Sequence, residues 1–173
     1  KNLLKFNNLI NDKNFEIPFL YKDLCTKNVL TMQYKPGIPI DEIMTYPQDE
    51  KNKIFYKLME LLFKEIFDFG YIQTDPNYSN FLYDQKNNKI ILLDFGASQK
   101  ISIEVRNKFK NLLIGTWNNN HTKIKTSLLD LGIVHDTFPK QIEAIFLDLF
   151  YEVTYPIREK KVYNFNQADL ITK

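Results

Sequence analysis

Residues 69–99 have the sequence FGYIQTDPNYSNFLYDQKNNKIILLDFGASQ, in which polar motifs alternate with strand-forming segments. Two apolar segments, 80–83 and 89–95, flank the polar DQKNN, which is the pattern of a β-hairpin with a polar turn. The preceding residues 71–80 are rich in Asp, Asn and Pro, so we expect an ordered loop there. The stretch therefore predicts a loop that leads directly into a hairpin.

Three polar residues stand out by their placement in this stretch. Asp75 and Asn80 lie in the loop, and Asp94 ends the second strand of the hairpin, where it is followed by Phe95 and Gly96. Because a short hairpin returns the chain to its starting point, we expect Asp94 to lie beside the loop. In kinase-type phosphoryl transfer a loop Asp lies at the nucleophile, while an Asn amide and a D-F-G carboxylate hold Mg²⁺.

The spacing by itself does not separate this chemistry from an ordinary structural role. Asp23 and Asn28 have the same D-x-x-x-x-N spacing without the surrounding elements. In the alternative interpretation Asp75 caps a turn and Asp94 only ends a strand. The order of the elements, a helix, D-x-x-x-x-N, a hairpin and then D-F-G, is what favours a functional site.

The composition limits the class of protein. The 173 residues are 44% hydrophobic and 25% charged, which fits one globular domain. A net charge of +2 is too balanced to indicate nucleic-acid binding, and a single cysteine excludes an internal disulfide. The five glycines lie at least 17 positions apart, so the chain has no glycine-rich phosphate loop. No apolar run of 18 residues occurs, which predicts no transmembrane segment, and no targeting segment is visible.

The residues before the quoted stretch predict a helix end, two strands and a long helix. Apolar side chains have helical spacing in 1–10, whereas 17–21 and 29–34 are short apolar segments that we expect to pair as strands before a turn at 35–37. A long buried helix is predicted over 49–69. Its recurring apolar residues are Ile54, Phe55, Leu58, Met59, Leu61, Leu62, Ile66 and Phe69.

Gly70 is the predicted stop of that helix. Periodicity predicts three further helices, at about 103–115, 121–131 and 139–152. The tail from Pro156 has little apolar content, and we expect it to be loosely held.

The whole 69–99 stretch closely resembles the signature region of the UbiB-like (aarF-domain) atypical kinase family. The Q-T-D-P-N form followed by D-F-G-A is similar to the mitochondrial coenzyme Q biosynthesis branch of that family. Residues 23–41, DLCTKNVLTMQYKPGIPID, resemble the family's last N-lobe strands and interlobe hinge. Two departures occur: Tyr78 stands where this branch often has Trp, and Gln99 replaces a basic residue.

The resemblance implies an α+β, protein-kinase-like fold with a mostly helical C-lobe, a catalytic-loop hairpin and two N-lobe strands. Residues 1–34 would be the end of the N-lobe, 35–48 the hinge and linker, and 49–173 an incomplete C-lobe. The family's remaining N-lobe features would precede Lys1. We therefore expect the chain to be a piece of a longer protein and to be inactive by itself.

The resemblance also implies roles for individual residues and a pair of cofactors, ATP/ADP and Mg²⁺. Asp75 would be the catalytic-loop acid, and Asn80 and Asp94 would be the Mg²⁺ ligands that also meet the nucleotide. Gln33 and Tyr34 lie where the hinge backbone would meet adenine.

The implied function is that of an ATPase-type helper of ubiquinone biosynthesis at the matrix face of the mitochondrial inner membrane. Coenzyme Q biosynthesis proteins and a membrane lipid surface, met by the REKK cluster at 158–161, are the expected partners besides nucleotide. Two alternatives stay open: a small-molecule phosphotransferase of the aminoglycoside or choline kinase type, and a nucleotide-binding pseudokinase scaffold. The segment after Gly96 has about six residues before the next helix and lacks A-P-E, which argues against an ordinary protein kinase.

Overall fold

The structure, a computed structural model, describes residues 2–75 and 77–159. The strands are β1 Phe15–Glu16, β2 Ile38–Pro39, β3 Tyr71–Gln73, β4 Phe81–Asp84, β5 Lys89–Leu92 and β6 Ser98–Lys100. The α-helices are α1 Asn2–Leu9, α2 Gln48–Phe63, α3 Ile103–Trp117, α4 His121–Asp130 and α5 Lys140–Arg158. Short 3-10 helices span Lys22–Leu24, Ile40–Thr45 and Tyr78–Asn80, and a π-helix spans Lys64–Phe69. The chain forms two compact units, Lys1–Ile101 and Ser102–Lys173.

The first unit is built on a four-stranded sheet with the order β1-β5-β4-β2. β1 runs parallel to β5, and the other neighbours are antiparallel. Apolar residues from this sheet, α1 and α2 form one core. Its most buried members are Phe6, Ile43, Ile54, Leu61, Ile90, Leu92 and Phe95. The architecture is α+β, as the sequence predicts.

β4 and β5 form the hairpin that the sequence predicts. Phe81 lies opposite Leu92 at its open end, and Asp84 lies opposite Lys89 at its turn. In the turn Asn88 has a φ of 52°, a left-handed conformation that Asn tolerates better than most residues. The short apolar strands and the Asn-rich turn are the local signals that favour this hairpin.

The long helix is confirmed, with α2 continuing through the π-helix to Phe69. Gly70 ends it with a φ of 60° and a ψ of 32°, and its amide donates to the Glu65 carbonyl. A left-handed residue at this position favours glycine, because a side chain would be strained there. The chain therefore reverses sharply at Gly70 and enters β3.

The predicted buried face of this helix is partly wrong. Phe55 is 56% exposed and Leu62 is exposed as well, whereas Lys57 and Glu65 are buried. Residues 54, 57, 61 and 65 recur at three and four positions, so they share one face of the helix whatever their polarity. The positions of the apolar residues alone therefore predict a buried face of the helix that is wider than the one observed.

The two predicted N-lobe strands pair over a shorter length than expected. Leu20 and Met32 form an isolated antiparallel bridge. On one side of the bridge the Gln33 amide donates to the Phe19 carbonyl at 2.7 Å. On the other side the Tyr21 amide donates to the Thr31 carbonyl at 3.0 Å. The 3-10 helix Lys22–Leu24 bends the chain directly after the first segment, which prevents a longer ladder.

Residues 71–73, expected to be part of a loop, instead form a strand. β3 pairs antiparallel with β6, with Ile72 opposite Gln99. Both strands have only three residues, and the paired residues are 25 to 29 positions apart in sequence, so neither segment shows a strand pattern by itself.

The described part of the second unit, residues 102–159, contains the three predicted helices, α3, α4 and α5. Leu112, Ile124, Leu128 and Val134 form its buried centre, and apolar residues of α5 pack against them. α5 continues through Pro156 to Arg158, beyond its predicted end at 152. The expectation of a loosely held tail concerns mainly residues 160–173, which lie outside the described residues. None of the helices described is both long and apolar enough to cross a membrane.

A lysine holds the hairpin turn against α2. The buried Lys57 ammonium donates to the carbonyl and to Oδ1 of Asn88, the latter at 2.6 Å, and the Tyr83 hydroxyl donates to the same Oδ1 at 3.1 Å. Burial lowers the pKa of Lys57. We expect Lys57→Met to lower the free energy of unfolding by about 1–3 kcal/mol, because the Asn88 oxygens lose their charged donor. Urea unfolding measures this, and exposed Lys53→Met is the control that should change little.

Candidate active site

The hairpin brings Asn80 and Asp94 to the same end of the sheet. Asn80 directly precedes β4, and Asp94 follows β5 after one residue. Phe81 pairs with Leu92, and beyond that pair the Leu93 amide donates to the Asn80 carbonyl at 2.9 Å. The backbone pairing thus continues one residue beyond the strands, to Leu93, which precedes Asp94. The backbones of Asn80 and Asp94 are therefore close together at the open end of the hairpin.

A second pairing brings Asp75 to the chain that follows Asp94. Gln73 pairs with Ser98 at the end of β3. The Thr74 amide then donates to the Ala97 carbonyl at 2.7 Å, and the Thr74 hydroxyl donates to the same oxygen at 3.0 Å. Asp75 comes one residue later and is exposed. The two strand pairs therefore bring the backbone segments that carry Asp75, Asn80 and Asp94 to one loop cluster.

The D-F-G turn presents its carboxylate outward and its ring inward. Asp94 is exposed, whereas Phe95 is buried in the core of the first unit. Asp94 Oδ1 accepts a hydrogen bond from the Gly96 amide at 2.7 Å. A Cβ at position 96 would lie 3.2 Å from that oxygen, so a larger residue would crowd the carboxylate. The lack of a side chain at Gly96 therefore leaves room for the Asp94 carboxylate to accept from the Gly96 amide.

The available ligand atoms fit a magnesium ion that binds together with phosphates. Asp94 supplies a carboxylate and the half-buried Asn80 an amide, and both are hard oxygen donors. In the described ranges, no group of three or more His, Cys, Asp and Glu side chains could hold a metal ion. Mg²⁺ is commonly held by one or two carboxylates plus the oxygens of a substrate phosphate and water. One carboxylate and one amide oxygen therefore fit an Mg²⁺ ion whose other ligands are phosphate oxygens and water.

The two predicted hinge residues lie on the segment that leads to β2. The Gln33 amide is already bonded to Phe19, so adenine would have to meet the Gln33 carbonyl or the Tyr34 backbone. The Tyr34 side chain is 86% exposed. A contact between this segment and adenine stays a prediction.

Sequence reasoning missed the contact between α1 and the D-F-G turn. Asn2 Nδ2 donates to the Phe95 carbonyl at 2.9 Å, and the Tyr71 hydroxyl donates to Asn2 Oδ1 at 3.2 Å. The Phe6 ring packs against the Phe95 ring at 4.7 Å between centroids and against Tyr71 at 5.5 Å. No local pattern could reveal these contacts, because Asn2 and Phe95 are 93 positions apart.

Sequence reasoning also missed a buried carboxyl behind the loop. Glu65 Oε2 accepts from the Gln73 amide at 3.1 Å, and Oε1 accepts from Gln73 Nε2 at 2.7 Å. Burial raises the pKa of Glu65, and the two bonds from Gln73 oppose that rise. A signal was present, since Glu65 follows the buried Leu61 by four positions on the core face of the helix.

Comparisons with known proteins identify the family of this chain. The family model described as "ABC1 atypical kinase-like domain" matches residues 1–151. The chain is 36% identical over 161 residues to "Atypical kinase COQ8B, mitochondrial" of Rattus norvegicus, covering 93% of this chain and 30% of that protein. It is 30% identical over 172 residues to "Atypical kinase COQ8, mitochondrial" of Schizosaccharomyces pombe, covering 98% and 28%. The chain thus spans under a third of the length of these relatives.

A solved structure has the same fold. The complex of Rv3197 with erythromycin from Mycobacterium tuberculosis gives a TM-score of 0.72 at 18% identity, over 90% of this chain and 39% of that one. An identity this low bears on the fold alone. The fold is kinase-like, and the resemblance seen in residues 69–99 is confirmed by a match that extends from the first residue into α5. This chain belongs to the family of ABC1 atypical kinase-like domains.

Proposed function

We propose that the chain forms the metal-binding part of a COQ8-type atypical kinase, which binds Mg²⁺–ATP and hydrolyses or transfers its γ-phosphate in support of ubiquinone biosynthesis. The observation that supports this proposal is the pair of backbone hydrogen bonds, Leu93 to Asn80 and Thr74 to Ala97, which bring together the chain segments that carry Asp75, Asn80 and Asp94. Family membership favours this function over an aminoglycoside or choline kinase.

Each side chain has a distinct role in the proposal. Asp94 and Asn80 would hold Mg²⁺ through their side-chain oxygens. When bound, the ion neutralises charge on the phosphates, which is a large part of catalysis in phosphoryl transfer. Asp75 lies at the exposed start of the loop, where it would accept a hydrogen bond from the attacking hydroxyl or water and orient it.

The segment after the D-F-G turn argues against a peptide substrate. β6 begins at Ser98 and pairs with β3, and α3 begins at Ile103. Six residues therefore separate Gly96 from α3, and three of them, the residues of β6, pair with β3. Protein kinases lay the peptide on a much longer activation segment that ends in A-P-E. We infer that the protein hydrolyses ATP or modifies a small or lipid-associated substrate.

A radiolabel-transfer assay with the full-length protein tests this specificity. We expect [γ-³²P]ATP to be hydrolysed and generic protein substrates to stay unlabelled, because nothing in the described part of this chain positions an extended peptide for transfer. The Asp75→Asn variant is the control for contaminating kinases. Robust labelling of the protein substrates that disappears in the variant would contradict the proposal and indicate a true protein kinase.

The cellular setting is also a proposal. Both relatives described above carry "mitochondrial" in their names, which supports a mitochondrial location and a role beside coenzyme Q biosynthesis proteins at the matrix face of the inner membrane. The lysines of the REKK cluster, on which the expected lipid contact depends, lie outside the described residues. Ubiquinone content in cells that carry only the Asp94→Asn variant would test the role in that pathway.

A further inference from the structure

Glu65 is a carboxyl buried at an unusual point of the helix before the loop. Its residue is 3% exposed, and it lies in the π-helix Lys64–Phe69. π-Helical turns are rare in proteins and are often found at functional sites. Because the chain reverses at Gly70, the Glu65 side chain contacts Gln73, which lies eight positions later in the sequence.

The two hydrogen bonds from Gln73 engage both oxygens of this carboxyl. One comes from the backbone amide and the other from the side-chain amide of the same residue. Gln73 is therefore fixed in position and in orientation from the helix side. On the other side, Thr74 is fixed by its two bonds to the Ala97 carbonyl. The chain is held firmly up to the residue before Asp75.

Stability alone is a weak reason for a carboxyl at this position. Burial of a charged group is costly, and apolar side chains of similar size often pack as well or better. An apolar residue would not form the two hydrogen bonds that hold Gln73. We propose that Glu65 is a positioning residue, which sets the place of Asp75 by holding Gln73. This inference deepens the proposed function, since it rests on Asp75 acting at the nucleophile.

The test compares Glu65→Met with Glu65→Gln in the full-length protein. Met fills a similar volume but accepts no comparable hydrogen bond, whereas the amide introduced by Glu65→Gln can still accept from the Gln73 backbone and can pair with a flipped Gln73 side chain. We expect Glu65→Met to lower kcat for ATP hydrolysis about tenfold or more with KM for ATP within about threefold, because a small misplacement of a reacting group is costly. Glu65→Gln should recover most of the lost kcat.

A second readout needs neither nucleotide nor activity. Hydrogen–deuterium exchange should show the Gln73 amide exchanging about tenfold faster in Glu65→Met than in the wild type, because it loses its acceptor. If Glu65→Met does not fold, Gln73→Met removes only the side-chain half of the attachment and should give a smaller loss of kcat. A wild-type protein that neither hydrolyses ATP nor transfers its γ-phosphate would refute the proposed function and leave the exchange result standing.

The control separates positioning from general destabilisation. Leu61→Ala opens the core one turn earlier on the same face of the helix, where Leu61 is buried. We expect it to lower the melting temperature while kcat at a permissive temperature stays near the wild-type value. The inference is overturned if Leu61→Ala lowers kcat as much as Glu65→Met does at equal stability. It is also overturned if folded Glu65→Met keeps the wild-type kcat or the protection of Gln73.

Discussion

Asp94→Asn is expected to weaken Mg²⁺-dependent nucleotide binding by about 100-fold or more, since loss of even an indirect metal contact costs about 10–100-fold. The substitution removes the charge but keeps an oxygen that can accept from the Gly96 amide, so the D-F-G turn should keep its shape. Thermal shift with ADP in Mg²⁺ and in EDTA measures the effect. The wild type should gain about 2.7 kcal/mol when free nucleotide exceeds its Kd a hundredfold.

Asp84→Asn is a matched control for this variant. Asp84 lies at the turn end of the same hairpin, where it accepts from the backbone and side-chain amides of Asn87, and these bonds lower its pKa. Removing its charge should leave the Mg²⁺-dependent shift intact. A shift that survives in Asp94→Asn, or that is lost equally in Asp84→Asn, would contradict the assignment of Asp94 as the metal ligand.

Asp75→Asn is expected to lower kcat for ATP hydrolysis by about 10²–10⁴-fold, the range of a positioned acid–base group. Nucleotide affinity should stay near the wild-type value, because Asp75 is assigned to the nucleophile and not to the metal. Steady-state hydrolysis and a Kd for Mg²⁺–ADP together measure the two quantities. The expected pattern is therefore a large loss of turnover without a loss of binding.

Asp68→Asn is the control for Asp75→Asn, since it changes another exposed aspartate a few residues earlier. It should leave both quantities unchanged. Hydrolysis that continues at the wild-type rate in Asp75→Asn would exclude Asp75 as the group that orients the nucleophile. A wild type that binds Mg²⁺–ADP but neither hydrolyses ATP nor transfers its γ-phosphate would instead favour the pseudokinase alternative.

Elements with strong local signals were predictable from the sequence. The hairpin needs only two apolar strands and an Asn-rich turn, and the long helix needs only apolar spacing and a glycine stop. Asn80 and Asp94 could be nominated because they flank the hairpin, and Asp75 because its D-x-x-x-x-N motif lies between the long helix and the hairpin. The approach of Asn80 to Asp94 follows from the hairpin and the Asn80–Leu93 bond, whereas the place of Asp75 depends on the pairing of β3 with β6 and on the Thr74–Ala97 bond.

The remaining features depend on partners far away in sequence. β3 and β6 are each three residues long and become strands only by pairing with one another. The 17–21 and 29–34 segments showed a strand pattern, but the 3-10 helix between them limits the pairing to one bridge. Lys57 and Glu65 are buried because Asn88 and Gln73 provide partners, which a pattern of apolar residues cannot reveal.

A crystal structure of the full-length protein with Mn²⁺ and a non-hydrolysable ATP analogue tests the magnesium–nucleotide site most directly. Mn²⁺ prefers the same oxygen ligands as Mg²⁺ and can be located by its anomalous scattering. We expect an anomalous peak with the Asp94 carboxylate and the Asn80 side-chain oxygen in its first coordination shell, and with Asp75 facing the γ-phosphate. A peak coordinated by neither Asp94 nor Asn80, or a nucleotide bound away from the D-F-G turn, would contradict the proposed site.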